Sequence, residues 1–164
     1  MRKQKGFSLI ELLIVVAIIL IIAAIAIPNL MRARIAANQS SAAASIRTIG
    51  TGEVTYQSNY QVYGTLAQLG GTQAACAAGA SAANGCLIDD FLATDGGGNG
   101  KSGYHFSAAP QGAAQLQYWS EGHKASNSSG DHSYCQSEDG VVRHDITGAT
   151  VASYAACVAL PALN

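Results

Sequence analysis

Hydrophobic and polar positions divide the chain into regions of different period. From Leu12 to Ile27, sixteen consecutive residues are Leu, Ile, Val or Ala. At about 1.5 Å per residue a helix over this run spans roughly 24 Å, and from Phe7 to Met31 roughly 37 Å, enough to cross the hydrocarbon core of a bilayer. Pro28 lacks the N–H that a helix interior needs and clashes with the preceding turn, which predicts a kink or local unwinding there without ending the helix. Beyond it the pattern becomes a stripe: Ile35, Ala42, Ile46, Ile49, Tyr56 and Tyr60 recur at helical steps, the signature of an amphipathic helix. Gly50 and Gly52 interrupt this stretch at about 1 kcal/mol each relative to Ala, which predicts flexibility or close packing. One long helix from near Phe7 to near Tyr60 follows, apolar over 7–31 and amphipathic over 32–60.

Residues 61–103 are rich in Gly, Ala, Ser and Asn and read as a connecting loop with one short helical piece at Thr65–Leu69. Alternation then predicts strands at Tyr104–Ala108, Leu116–Ser120, Ser133–Gln136 and Val141–Asp145, with Tyr104 and Phe106 on one side of the first and Leu116 and Tyr118 on one side of the second. Asp139-Gly140 between the last two is a hairpin signal. One long helix followed by four short antiparallel strands, over 104–164 with the tail, predicts an α+β fold in which the helix covers one face of the sheet.

Glu11 is the exception in the apolar region. A lone carboxylate near one end of a membrane span costs on the order of several kcal/mol unless it is partnered, and no cation follows before Arg32. One group suits it: the α-amino group created if the basic leader, residues 1–6, were cut off between Gly6 and Phe7. Arg2, Lys3 and Lys5 favour a cytoplasmic N-terminus, placing the remainder outside the cytoplasm, where disulfides are permitted. Cys76, Cys86, Cys135 and Cys157 all lie in that remainder, and sequence alone leaves three pairings open. Net charge is −1 over 164 residues, but without the leader six basic side chains face ten acidic ones. Such a balance gives no general attraction for nucleic acid, which relies on clustered Lys and Arg.

Met1-Arg2-Lys3-Gln4-Lys5-Gly6 followed by GFSLIELLIVVAIILIIAAIAIPNL resembles the type IV pilin superfamily, whose prepilins carry a basic leader ending in Gly, then Phe, then Glu four residues later. The resemblance implies the pilin fold. It further implies cleavage after Gly6 by a prepilin peptidase, methylation of the new amine on Phe7, and pairing of Glu11 with the Phe7 amine of a neighbouring subunit. Its implied partners are copies of the same chain in a pilus filament, the inner-membrane assembly machinery, and the membrane itself, which a single span occupies before assembly delivers the subunit to an extracellular pilus. The Cys135–Cys157 region resembles the disulfide-bounded region of pilins, and local loop closure favours Cys76 with Cys86 and Cys135 with Cys157. The extra pair Cys76 and Cys86 departs from the family pattern and leaves the pilin branch open. A type II secretion pseudopilin is the alternative within the superfamily, and a membrane-anchored or secreted binding module the alternative outside it. A signal peptide with an A-x-A site at Ala24-Ile25-Ala26 competes for the same apolar run, but Glu11 interrupts it and helical pattern continues past residue 27.

Other constellations carry little chemistry. Asp95 to Ser102 imitates a phosphate loop but has Asp95 where the pattern needs Gly, and a strand rather than a helix follows. Asp89, Asp90, Asp95 and Asn99 are oxygen donors without the spacing of a calcium loop, and they read as solvated loop side chains. His123, His132, Cys135 and His144 fit no compact zinc pattern. No catalytic signature is present, so a structural protein without metal or cofactor is expected; Asn127-Ser128-Ser129 marks only an exposed loop.

Overall fold

The computed structural model describes residues 8–163. Helix α1 runs from Leu9 to Tyr60, and the chain divides into two compact units, one ending at Arg34 and one beginning at Ile35. In the first unit the apolar side chains of α1 are exposed, Ala23 alone being half-buried among the described residues. β-Branched residues are ordinarily mediocre helix formers, but a helix satisfies every backbone group within its own segment, the one requirement an apolar surrounding imposes. Pro28 lies inside α1 and the α-helix is continuous through it, so the local unwinding expected there does not occur.

The second unit holds the core. Ala42, Ile46, Ile49 and Tyr56 of α1 are buried against Tyr104, Phe106, Tyr134 and Val142 of the sheet and Leu66, Leu69, Ile88 and Leu92 of the connecting segment. Of the predicted stripe, Ile35 and Tyr60 at the two ends are only half-buried. Gly50 and Gly52 serve close packing: the Gln136 side chain fills the space a Cβ at Gly50 would need, and a Cβ at Gly52 would lie 3.1 Å from Ile88. α1 ends where Gln61 turns left-handed, at φ 63°, while its N–H still donates to the Gln57 carbonyl at 2.8 Å.

Strands β1 (Tyr104–Gln111), β2 (Gln117–Lys124), β3 (Ser133–Ser137) and β4 (Val142–Asp145) form an antiparallel meander in that order. β1 and β2 pair over eight residues, from Tyr104 opposite Lys124 to Gln111 opposite Gln117. They are longer than alternation predicts. β1 is an edge strand, so Pro110 can sit within it without breaking a second ladder. Leu116 falls outside β2 and is exposed, whereas Tyr118 is buried; the expected pairing of these two on one strand side does not hold. The turn between β3 and β4 places Gly140 at φ 73°, with its N–H donating to the Ser137 carbonyl at 3.0 Å.

The segment over 61–103 contains more helix than expected: α2 (Leu66–Leu69), α3 (Gln73–Ala77) and α4 (Asp90–Ala93). Each has a side-chain cap. Thr65 forms a capping box with Gln68, Thr72 Oγ1 accepts from the Ala75 N–H, and Asp89 accepts from the Leu92 N–H. After β4, Ser153 caps α5 (Tyr154–Val158), and the tail then follows β4, with His144 N–H donating to the Pro161 carbonyl and Leu163 N–H to the Val142 carbonyl. An otherwise open strand edge is thereby covered.

Candidate functional site: the apolar helix and the head that bears its second half

Glu11 lies in the first turn of α1, and its Oε2 accepts a hydrogen bond from the Ser8 backbone N–H at 2.8 Å. Ser8-Leu9-Ile10-Glu11 has the spacing of a capping box, in which a glutamate reaches back to a donor that the helix leaves unpaired. The contact is exposed and uses one carboxylate oxygen, Oε2. That S-x-x-E signal is present in the sequence but reads there only as part of the larger motif. Gly6 and Phe7, the expected processing and amine positions, lie outside the described residues. α1 is long and apolar enough to cross a membrane, and no residue of its most apolar stretch is buried.

The head contains a second glutamate on α1 with the opposite character. Glu53 is fully buried; its Oε2 accepts from the Gly64 N–H at 2.9 Å, while Oε1 has no hydrogen-bond partner among the described residues. Burial pushes its carboxyl up to about 7, against the lowering influence of the Gly64 N–H. Burial likewise raises the Tyr118 phenol, and the nearby Glu53 charge adds to it. Glu53 thus ties the end of α1 to the start of the connecting segment.

Cys76 is bonded to Cys86 and Cys135 to Cys157, with Cα atoms 5.8 and 5.9 Å apart. Cys135 and Cys157 are fully buried and form a small second core with Val151 and Leu160, fixing α5 to β3. Cys76 and Cys86 are half-buried. At the β3–β4 turn the Arg143 guanidinium is hydrogen-bonded to both oxygens of Asp139 and holds its carboxyl at about 2. Glu138 beside it accepts from the Tyr154 hydroxyl, joining that turn to α5.

Residues considered for other chemistry are dispersed or engaged. Asp89 caps α4 and lies 3.7 Å from Lys101, while Asp95 turns to His105 and the Phe106 N–H; these contacts occupy the oxygens a calcium ion would need. The glycines after Asp95 form a short 3-10 turn, with β1 rather than a helix beyond it. Cys135 is oxidised, and His123 pairs with His105 instead of with His132 and His144. Ser129 offers its carbonyl to Asn38 on α1.

A long N-terminal helix, apolar in its first half and laid by its second half on a four-stranded antiparallel sheet with a disulfide-bounded C-terminal region, defines the pilin α+β class. Residues 1–27 match the family model described as the prokaryotic N-terminal methylation motif. Over 62 residues, 38% of this chain and 44% of the relative, the sequence is 50% identical to the type IV wide pilus major component PilA4 of Thermus thermophilus. It is 42% identical over 65 residues, 40% of this chain and 30% of the relative, to the type IV major pilin protein PilA of Myxococcus xanthus. It is 37% identical over 68 residues, 42% of this chain and 47% of the relative, to type II secretion system core protein G of Vibrio cholerae. The chain thus spans less than half the length of the relatives it matches. Motif, fold and relatives together support the type IV pilin superfamily, with the pilus pilins modestly favoured over the secretion pseudopilins.

Proposed function

We propose that this chain is a structural subunit of a type IV pilus that polymerises through the first half of α1. The observations that carry this reading are the exposed apolar helix with one carboxylate in its first turn and a head whose own core is formed without it. After cleavage at Gly6–Phe7 and methylation of the Phe7 amine, the subunit waits in the inner membrane with its head outside the cytoplasm. Its helix then exchanges lipid for the helices of earlier subunits. The Glu11 carboxylate accepts the Phe7 amine of a neighbour, and because a helix docked at the wrong height leaves two charges unpaired in a dry core, the pair sets register more than it adds stability. Pro28 marks the place where α1 bends as subunits pack. The proposed partners are the prepilin peptidase, the inner-membrane assembly machinery and other copies of the chain; no catalytic step by this chain is invoked.

The similarity to a type II secretion core protein favours a second reading, a short periplasmic pseudopilus. Deleting the gene separates them. Loss of long surface filaments with export of secreted enzymes intact supports the pilus; loss of export with surface filaments unchanged supports the pseudopilus.

A further inference from the structure

Filament assembly leaves the histidines of the head without a role. All four of the chain's histidines lie in two pairs, His105 with His123 at 5.6 Å between ring centres and His132 with His144 at 5.7 Å. The pairs differ in what stands behind the rings. His105 and His123 are directly opposite each other on β1 and β2, on strand positions that alternate with the core residues Tyr104, Phe106 and Gly122. Asp95 Oδ2 lies 2.8 Å from His105 Nδ1, and Asp95 Oδ1 accepts from the Phe106 N–H, also at 2.8 Å. Glu121 Oε1 lies 3.4 Å from His123 Nδ1, an ion-pair distance rather than a well-aligned hydrogen bond, and Oε2 accepts from the Val151 N–H at 2.9 Å. Ser107 Oγ steadies Glu121 from the neighbouring strand. No carboxylate stands within ion-pair distance of His132 or His144 among the described residues.

A carboxylate beside Nδ1 favours the tautomer protonated there and leaves Nε2 as the ligating atom. Neither ring uses Nε2 in a hydrogen bond among the described residues, and both side chains are about a third exposed, at 31% and 30%. The separation also fits. With a metal–nitrogen distance of about 2.0–2.1 Å, each ring centre stands about 3 Å from a shared ion, so two ligating rings have centres about 5–6 Å apart.

We propose that His105 and His123 form a two-histidine site for a borderline divalent cation such as zinc, with Asp95 and Glu121 as positioning carboxylates and water completing the coordination. Imidazole pairs prefer such ions to calcium or magnesium, which take oxygen ligands. The site is independent of the filament reading and stands or falls on its own.

The test uses the untagged full-length chain in detergent, stripped by chelator and titrated with zinc chloride by calorimetry. One zinc per chain is expected. His105→Gln and His123→Gln each abolish the binding, His132→Gln and His144→Gln leave it unchanged, and Asp95→Asn weakens it roughly 10–100-fold, the usual effect of removing a carboxylate behind a ligating histidine. A measurement on the unaltered chain covers variants that fail to fold: zinc should shield His105 and His123, and not His132 and His144, from diethyl pyrocarbonate mapped by mass spectrometry. No zinc uptake, uptake that survives loss of His105 or His123, or shielding at the other pair overturns the proposal.

Discussion

Two glutamates on α1 show how position decides what a carboxylate does. Glu11 is exposed at a helix start and held by the Ser8 N–H, whereas Glu53 is buried with one oxygen unpaired among the described residues. Replacing Glu11 by Val makes the apolar segment more uniform, so membrane insertion persists while filament yield falls sharply; undiminished yield in fractionated cells contradicts the intersubunit pair. For Glu53 the sign of the pH effect follows from its raised value. Its carboxyl stands at about 7 in the folded chain against 4.5 unperturbed, so the folded state favours the protonated form. The associated stability is fully present below pH 4.5 and is lost as pH rises through about 7, a change of up to about 3 kcal/mol. Glu53→Gln should flatten this dependence in denaturant titrations at pH 4.5 and 7.5, and equal slopes for variant and parent would refute it. Asp139, held low by Arg143, acts in a separate and more acidic window, losing its contribution as pH falls from 3.8 through about 2.

At the scale of elements, the two disulfides differ in exposure more than in geometry. Cys135–Cys157 lies in a sealed second core, while Cys76–Cys86 is reached from the surface. Mild reductant without denaturant should therefore open Cys76–Cys86 first, as alkylation mapping would show; the reverse order contradicts the burial argument. Losing Cys135–Cys157 should cost about 2–4 kcal/mol and release α5 and the tail from β3. Elements with a long period were legible in the sequence. The α1 stripe appears because residues such as Ala42, Ile46 and Ile49 repeat the helical step over many turns, and the four strands appear because Tyr104, Phe106 and Tyr118 alternate with polar residues. α3 and α4 were hidden because four or five residues carry no measurable period, and their caps, Thr72 and Asp89, emerge only from the structure. The reach of β1 through Pro110 depends on its being an edge, and the His105–His123 pair on strand register. Neither is written in local pattern.

For the whole molecule, the division at Arg34 and Ile35 separates an apolar helix from a head with its own core and both disulfides. A chain beginning near Arg32 should accordingly be a soluble, folded monomer; self-assembly of that head in light scattering would show that head contacts, not the helix, drive polymerisation. The leader and Glu11 were legible as a motif because Gly6, Phe7 and Glu11 stand at fixed places in an otherwise featureless apolar run, whereas the head carries no such motif and its role had to come from packing. The central claim is that this chain is processed and built into filaments through its N-terminal helix. The most direct measurement is the intact mass of the subunit in filaments sheared from the surface of its own host. The account predicts a chain that begins at Phe7 and is heavier than its sequence by one methyl group, whereas a chain retaining Met1, or one beginning at Ile27, would contradict it.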